Sequence, residues 1–403
     1  MARKYGFAAA ALLLGVSVAG TSWAQLGNGT GGAGSVAAGP KNVSSAGEPV
    51  GPGKSRLPLT TPDAAPFENT KGSLSATEKA GSTGDAAQGN QAYGSAAEKW
   101  PYTTARVAIS SKPFPNAPYA QMVPVTSAPF RFTGKLWMHF SDGWYVCTAS
   151  LIRKGVLVTA AHCVHNYGQG AAGFADQVRW YPANWAAGGG PWSYFVGVDW
   201  RVPTPYFNGT DTCQSGAIGI VCNNDIATVT LQPRNSKYAG NILGGFMNYG
   251  WNGYGFVASP AFGNATAGAV TQLGYPVAID SGYQMERTDS FGKFIQTSGA
   301  NGKVLKNTQL GSAMTGGSSG GPWIANFGTR PIITGSASLG SLSVSNTIIG
   351  VTSWGYTTVG VNVQGASYFG QNAEYPNANY GGRGAGNIGS LVNDTCTASP
   401  GYC

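Results

Sequence analysis

The chain has 403 residues, of which only 10 % are charged, with 62 glycines and a formal net charge of +8. It is too long for one small barrel and too poor in charge for a helical cytosolic enzyme; two small β-domains with long loops and extensions fit better. No cluster of five or more Lys/Arg occurs, so the positive excess reads as solubility or weak surface adsorption and not as nucleic-acid binding.

Arg3 and Lys4 precede an apolar run from Phe7 to Val18, and Ser22-Trp23-Ala24 offers a small-x-small cleavage site. Residues 1–24 are therefore expected to be a secretory signal peptide, cut after Ala24. The apolar run is too short for a good membrane anchor, and no later run is long enough to span a bilayer. Export without a membrane anchor is expected. Residues 25–100 are rich in Gly, Ala, Ser, Thr and Pro and nearly free of aromatics, so they cannot bury enough apolar area to fold alone. They are either a propeptide removed in maturation or a flexible linker. Trp100-Pro101-Tyr102 marks the boundary of a domain expected over 101–390.

From Arg131 the pattern alternates. Phe132, Leu136, Met138 and Phe140 give a strand signal, continued by Tyr145-Val146-Cys147, Leu151-Ile152 and Val156-Leu157-Val158. Gly, Asn and Pro clusters punctuate the rest, and long helical periodicity is absent. The expected fold is all-β: two antiparallel barrels, about 120–235 and 236–390, with the active site in the cleft between them. The stretch 180–224 is expected to hold an insertion, packed as a decoration by Trp180, Trp185, Trp192 and Trp200. A Gly-, Asn- and Tyr-rich tail follows Gln364, with residues 391–403 stapled by a disulfide. Six cysteines, an even number, suit an oxidising compartment and allow fifteen pairings; proximity suggests Cys147–Cys163, Cys213–Cys222 and Cys396–Cys403.

Three short motifs carry chemistry. Thr159-Ala160-Ala161-His162-Cys163 supplies an imidazole, Asn224-Asp225-Ile226-Ala227 a carboxylate, and Gly316-Gly317-Ser318-Ser319-Gly320-Gly321-Pro322 a hydroxyl in a tight turn. A serine hydroxyl needs a neighbouring base to become a nucleophile; His162 is that base for Ser319, and Asp225 orients it. Asp199 and Asp211 stand nearby as competitors for the carboxylate role. The glycines let backbone N–H groups converge on an oxyanion, here those of Gly317 and Ser319. His139 and His165 complete no metal-ligand spacing, so neither a metal nor an organic cofactor is expected.

These motifs, in this order and with Cys147 placed before Cys163, resemble the chymotrypsin-like serine peptidases over roughly residues 130–360. A fourth element, Gly350-Val351-Thr352-Ser353-Trp354-Gly355, strengthens the likeness. The resemblance implies two six-stranded β-barrels, a Cys147–Cys163 disulfide beside the histidine, and a strand Ser353-Trp354-Gly355 that binds substrate backbone as an added antiparallel strand. It places Ala313, Met314 and Thr352 around the side chain preceding the scissile bond. Ser318 stands where digestive relatives carry an Asp that pairs with a new amino terminus, so activation is expected not to use terminal insertion. In this the chain is closer to bacterial secreted enzymes of the glutamyl-endopeptidase kind. Those place a histidine where Thr352 stands here, so an uncharged P1 residue is expected. The implied function is a secreted, monomeric serine endopeptidase acting on polypeptides. The alternatives are an inactive binding or adhesion protein on the same fold, and an esterase or polymer hydrolase using the same triad.

Overall fold

The computed structural model describes residues 32–39, 101–109, 123–185, 190–217, 219–259, 265–328, 344–356 and 362–403, together with short strands at 54–55, 59–60, 92–95, 113–114 and 117–121. The expected signal peptide and most of 25–100 lie outside the described residues.

Twelve strands form two closed, six-stranded antiparallel barrels. Barrel one contains β1 (Thr133–Phe140), β2 (Gly143–Arg153), β3 (Val156–Thr159), β4 (Gln177–Pro182), β5 (Phe195–Pro203) and β6 (Ala227–Leu231). Its order is β5-β4-β1-β2-β3-β6, and β6 closes on β5. Barrel two contains β7 (Ala265–Gly274), β8 (Glu286–Ser298), β9 (Val304–Gly311), β10 (Pro322–Ala325), β11 (Thr347–Tyr356) and β12 (Val363–Tyr368). Its order is β7-β10-β11-β12-β9-β8, and β8 closes on β7.

The alternation in β1 explains the first barrel. Leu136, Met138 and Phe140 enter the main core, while Trp137 turns outward to a smaller cluster with Val146 and Tyr181. In β3 both faces are covered, and Val156, Leu157 and Val158 are fully buried. Burying each such side chain stabilises by about 1.5–3 kcal/mol, which anchors the strand leading to the histidine.

Two expectations need correction. Trp180 and Trp200 belong to β4 and β5 and lie in the core, so the excess in 180–224 is confined to 183–194 and 204–224. Trp185 and Trp192 pack against that core from the first of these loops. Second, long helical periodicity was not expected, yet Gly386–Ala398 in the carboxy-terminal tail is a helix of 13 residues. Its buried Ile388, Leu391, Val392 and Thr395 keep helical spacing, which Gly, Asn and Thr of low helix propensity had obscured. The helix returns to barrel one, where the hydroxyls of Thr395 and Thr228 bond at 2.8 Å.

The amino-terminal stretch also joins the barrels. Ser35–Ala37 pairs with Arg201–Pro203 at the edge of β5, and the Ser35 amide and hydroxyl donate to Asp394 at 2.9 and 2.8 Å. Tyr102–Arg106 pairs with Glu286–Ser290 of β8. Disulfides join Cys147 to Cys163, Cys213 to Cys222 and Cys396 to Cys403.

Candidate active site

His162 sits in a single helical turn, Ala161–Val164, directly after β3. Its neighbour Cys163 is bonded to Cys147 in β2, so the turn is held at both ends. Asp225 lies two residues before β6 and is fully buried. Its carboxylate accepts the His162 backbone N–H on Oδ1 and the ring Nδ1–H on Oδ2, both at 2.8 Å. The Ser353 hydroxyl donates to the same Oδ2 at 2.6 Å. Three donors on one buried carboxylate fix its orientation, and they fix the tautomer that leaves Nε2 of His162 as the acceptor.

The competing carboxylates do other things. Asp199 pairs with Arg201 on β5 at 3.4 Å. Asp211 accepts the backbone and side-chain amides of Asn224 at 2.9 and 2.6 Å, so it braces the residue before Asp225. Burial and the nearby Glu374 push the Asp211 carboxyl well above the usual range, opposed by its bonds to Asn224 and Thr212. His139 bonds Asp176, and His165 bonds the Gly170 carbonyl, so the two share no site.

Ser319 lies in the turn between β9 and β10. The Thr148 amide donates to the Ser319 carbonyl at 2.7 Å, and the Thr148 hydroxyl to the Gly317 carbonyl at 2.9 Å. Gly320 packs against the histidine motif itself: a Cβ there would lie 2.0 Å from Thr159 Oγ1, at a φ of +74°. Gly317 has φ +98°, and its Cβ would lie 2.3 Å from the Tyr275 carbonyl oxygen. Neither position tolerates a side chain. Ser319 Oγ is buried and makes no hydrogen bond among the described residues, so no bond joins it to the imidazole in this structure.

The expected substrate-side residues are spread around this turn. Met314 is buried against Gly274, and the Ala313 amide donates to Thr104 Oγ1 at 3.4 Å. Thr352 turns its hydroxyl inward, accepting from Gln272 and Trp323. Trp354 is fully buried beside Ala217, Val221 and Leu305, with its ring stacked over Gly365. The Cys213–Cys222 hairpin therefore covers the Trp354 strand. Sequence reasoning placed Ser353 only on the substrate strand and missed its bond to Asp225. The available signal was the polar pair Thr352-Ser353 inside an otherwise apolar run from Ile348 to Trp354.

The Trypsin family model matches residues 124–243, which hold His162 and Asp225 and end before Ser319. Among solved structures, a thermostable serine protease AL20 from an extremophilic microorganism is 21 % identical, over 60 % of this chain and 92 % of its own, with a TM-score of 0.43. Protease Anisep from Arthrobacter nicotinovorans is 21 % identical, over 61 % and 93 %, with a TM-score of 0.44. A Glu endopeptidase is 14 % identical, over 70 % and 96 %, with a TM-score of 0.42. No curated protein matches the chain. The family match spans the paired His162 and Asp225, and the two closed barrels around them give a chymotrypsin-like fold; the match and the fold support a serine peptidase.

Proposed function

We propose that the chain is a secreted endopeptidase in which Ser319 is the nucleophile, His162 the general base and Asp225 its orienting partner. The observation that carries this is the chain of bonds Ser353–Asp225–His162 set against the glycine turn that bears Ser319. Ser319 Oγ attacks the scissile carbonyl carbon while its proton passes to His162 Nε2. The carbonyl oxygen becomes an oxyanion facing the N–H groups of Gly317 and Ser319. Among the described residues neither amide donates to a protein acceptor, which leaves both for this role. Collapse breaks the C–N bond, His162 returns the proton to the leaving amine, and water then repeats the sequence on the acyl-enzyme. Ala313, Met314 and Thr352 bring no charge to the pocket, which favours an uncharged P1 side chain. Three disulfides support secretion, and no helix among the described residues is long and apolar enough to cross a membrane.

One observation favours a propeptide over a linker for the amino-terminal stretch. Lys54–Ser55 runs parallel to Tyr145–Val146, just before Cys147, and Leu59–Thr60 runs parallel to Gly355–Tyr356. The second pairing occupies the strand expected to bind substrate, in the direction opposite to an antiparallel substrate. Ser319 is 0 % and His162 5 % exposed. A strand paired with the substrate strand has to leave before substrate can bind there, which supports removal of the segment in maturation.

Fluorophosphonate labelling of the secreted, processed protein tests the reading, with Ser319→Ala beside it. Label confined to Ser319 supports it. A folded, processed sample that takes no label overturns it in favour of a binding protein. Peptide against ester turnover then separates an endopeptidase from an esterase, and a P1-varied library with best cleavage after Lys, Arg or Glu would refute the uncharged pocket.

A further inference from the structure

The turn that carries Gly317 and Ser319 is held from beneath by an uncharged network centred on Gln364 of β12. We propose that Gln364 is the positioning residue of the oxyanion turn, resting on the reading of Ser319 as nucleophile. Its Nε2 donates to the Met314 carbonyl at 2.8 Å and to Ser318 Oγ at 3.1 Å, so one amide spans the turn on either side of Gly316 and Gly317. A carbonyl only accepts, so Nε2 and not Oε1 must face Met314. Oε1 then accepts from Gln272 Nε2, whose amide also donates to Thr352 Oγ1 at 2.8 Å. Gln272 Oε1 accepts from Ser312 Oγ at 2.8 Å, and Ser312 Oγ accepts the Met314 amide at 3.1 Å. Ser318 Oγ donates onward to the Thr315 carbonyl at 2.7 Å.

Gln364, Gln272, Ser312, Met314, Ser318 and Thr352 are buried, and both protons of the Gln364 amide are used. Buried polar groups joined in this way specify one geometry, because any other leaves a donor or acceptor unpaired in a low-dielectric interior. The geometry specified here is the separation of Met314 from Ser318, and hence the direction of the Gly317 N–H. No charged group among the described residues takes part, so neutral donors and acceptors hold the turn.

The test is the ionisation of a hemiketal formed on Ser319 by a peptidyl trifluoromethyl ketone, followed by fluorine NMR, alongside kcat and KM. An oxyanion hole lowers the hemiketal pKa, so a misdirected Gly317 N–H raises it, whereas a loss of fold stability alone does not. Gln364→Met keeps the volume and removes both donors; it is expected to raise the hemiketal pKa and lower kcat roughly tenfold or more with KM little changed. Val229→Ala, a truncation in the core of barrel one outside this network, is expected to lower Tm and leave the hemiketal unmoved. Should Gln364→Met not fold, Ser318→Ala removes one of the two contacts and is expected to shift the hemiketal in the same direction by less. A folded Gln364→Met, or failing that Ser318→Ala, with wild-type hemiketal ionisation overturns the proposal. A processed wild type that forms no hemiketal overturns the Ser319 reading and this proposal with it.

Discussion

Ser353→Ala isolates one hydrogen bond to the buried Asp225. In the wild type, Oδ2 of Asp225 accepts from both His162 Nδ1 and Ser353 Oγ, the latter at 2.6 Å, and the carboxylate has no exposure to water. A hydrogen bond to a charged group contributes about 1.5–3 kcal/mol, so its removal should lower stability by that amount. For a domain of this size that is a fall in Tm of roughly 3–6 °C. In an Asp225→Asn background the acceptor is neutral, and the same Ser353→Ala change should cost only about 0.5–1.5 kcal/mol. The assay is a double-mutant cycle in thermal unfolding, with kcat/KM measured on the single variants. Ser353→Ala should reduce kcat/KM far less than Asp225→Asn, because His162 keeps both of its own bonds to the carboxylate. If Ser353→Ala costs the same with Asp225 or Asn in place, the hydroxyl does not act on the charge and the argument fails.

Other expectations follow from single positions. Gly320→Ala puts a Cβ within 2.0 Å of Thr159 Oγ1 at a positive φ, so the turn must shift; Ser319 labelling should fall about a hundredfold or more, and unchanged labelling would refute the packing argument. Replacing Cys147 and Cys163 by Ala opens a loop with a separation of 16 residues and should cost about 3 kcal/mol, read as a lower denaturant midpoint. Glu286 is raised to about 9, first by burial and then by Asp280, while Arg106 opposes the shift. The folded state thus holds this proton more tightly than the unfolded chain, so its contribution is full below the ordinary carboxylate range and is lost as pH rises toward 9. Glu286→Gln should flatten the decline in Tm between pH 5 and 9; an unaltered slope would assign that decline to other groups.

Much of the site was legible in the sequence because its chemistry is local. The histidine motif, the glycine turn and the strand alternation of β1 to β3 each depend on a few adjacent residues, and a backbone at φ +74° or +98° announces itself as glycine. The preference for Asp225 over Asp211 and Asp199 rested on the strand pattern of Ile226, Val229 and Leu231 after it, with the other two left as competitors. All three precede or lie on β-structure, and only the closed barrel decides which carboxylate meets His162 and which one braces Asn224. The same holds for Ser353, Gln272 and Gln364, ordinary polar residues on strands until barrel two closes and turns them toward Asp225 and the oxyanion turn. The carboxy-terminal helix was hidden for a related reason, since its residues have poor helix propensity and its stability comes from packing on barrel one. Residue identity and spacing pointed to His162, Asp225 and Ser319 as the candidate reacting groups. Their orientation, and the neutral network beneath them, were decided by long-range pairing, because a buried hydrogen bond is specified by its partner, and here the partners lie dozens of residues away.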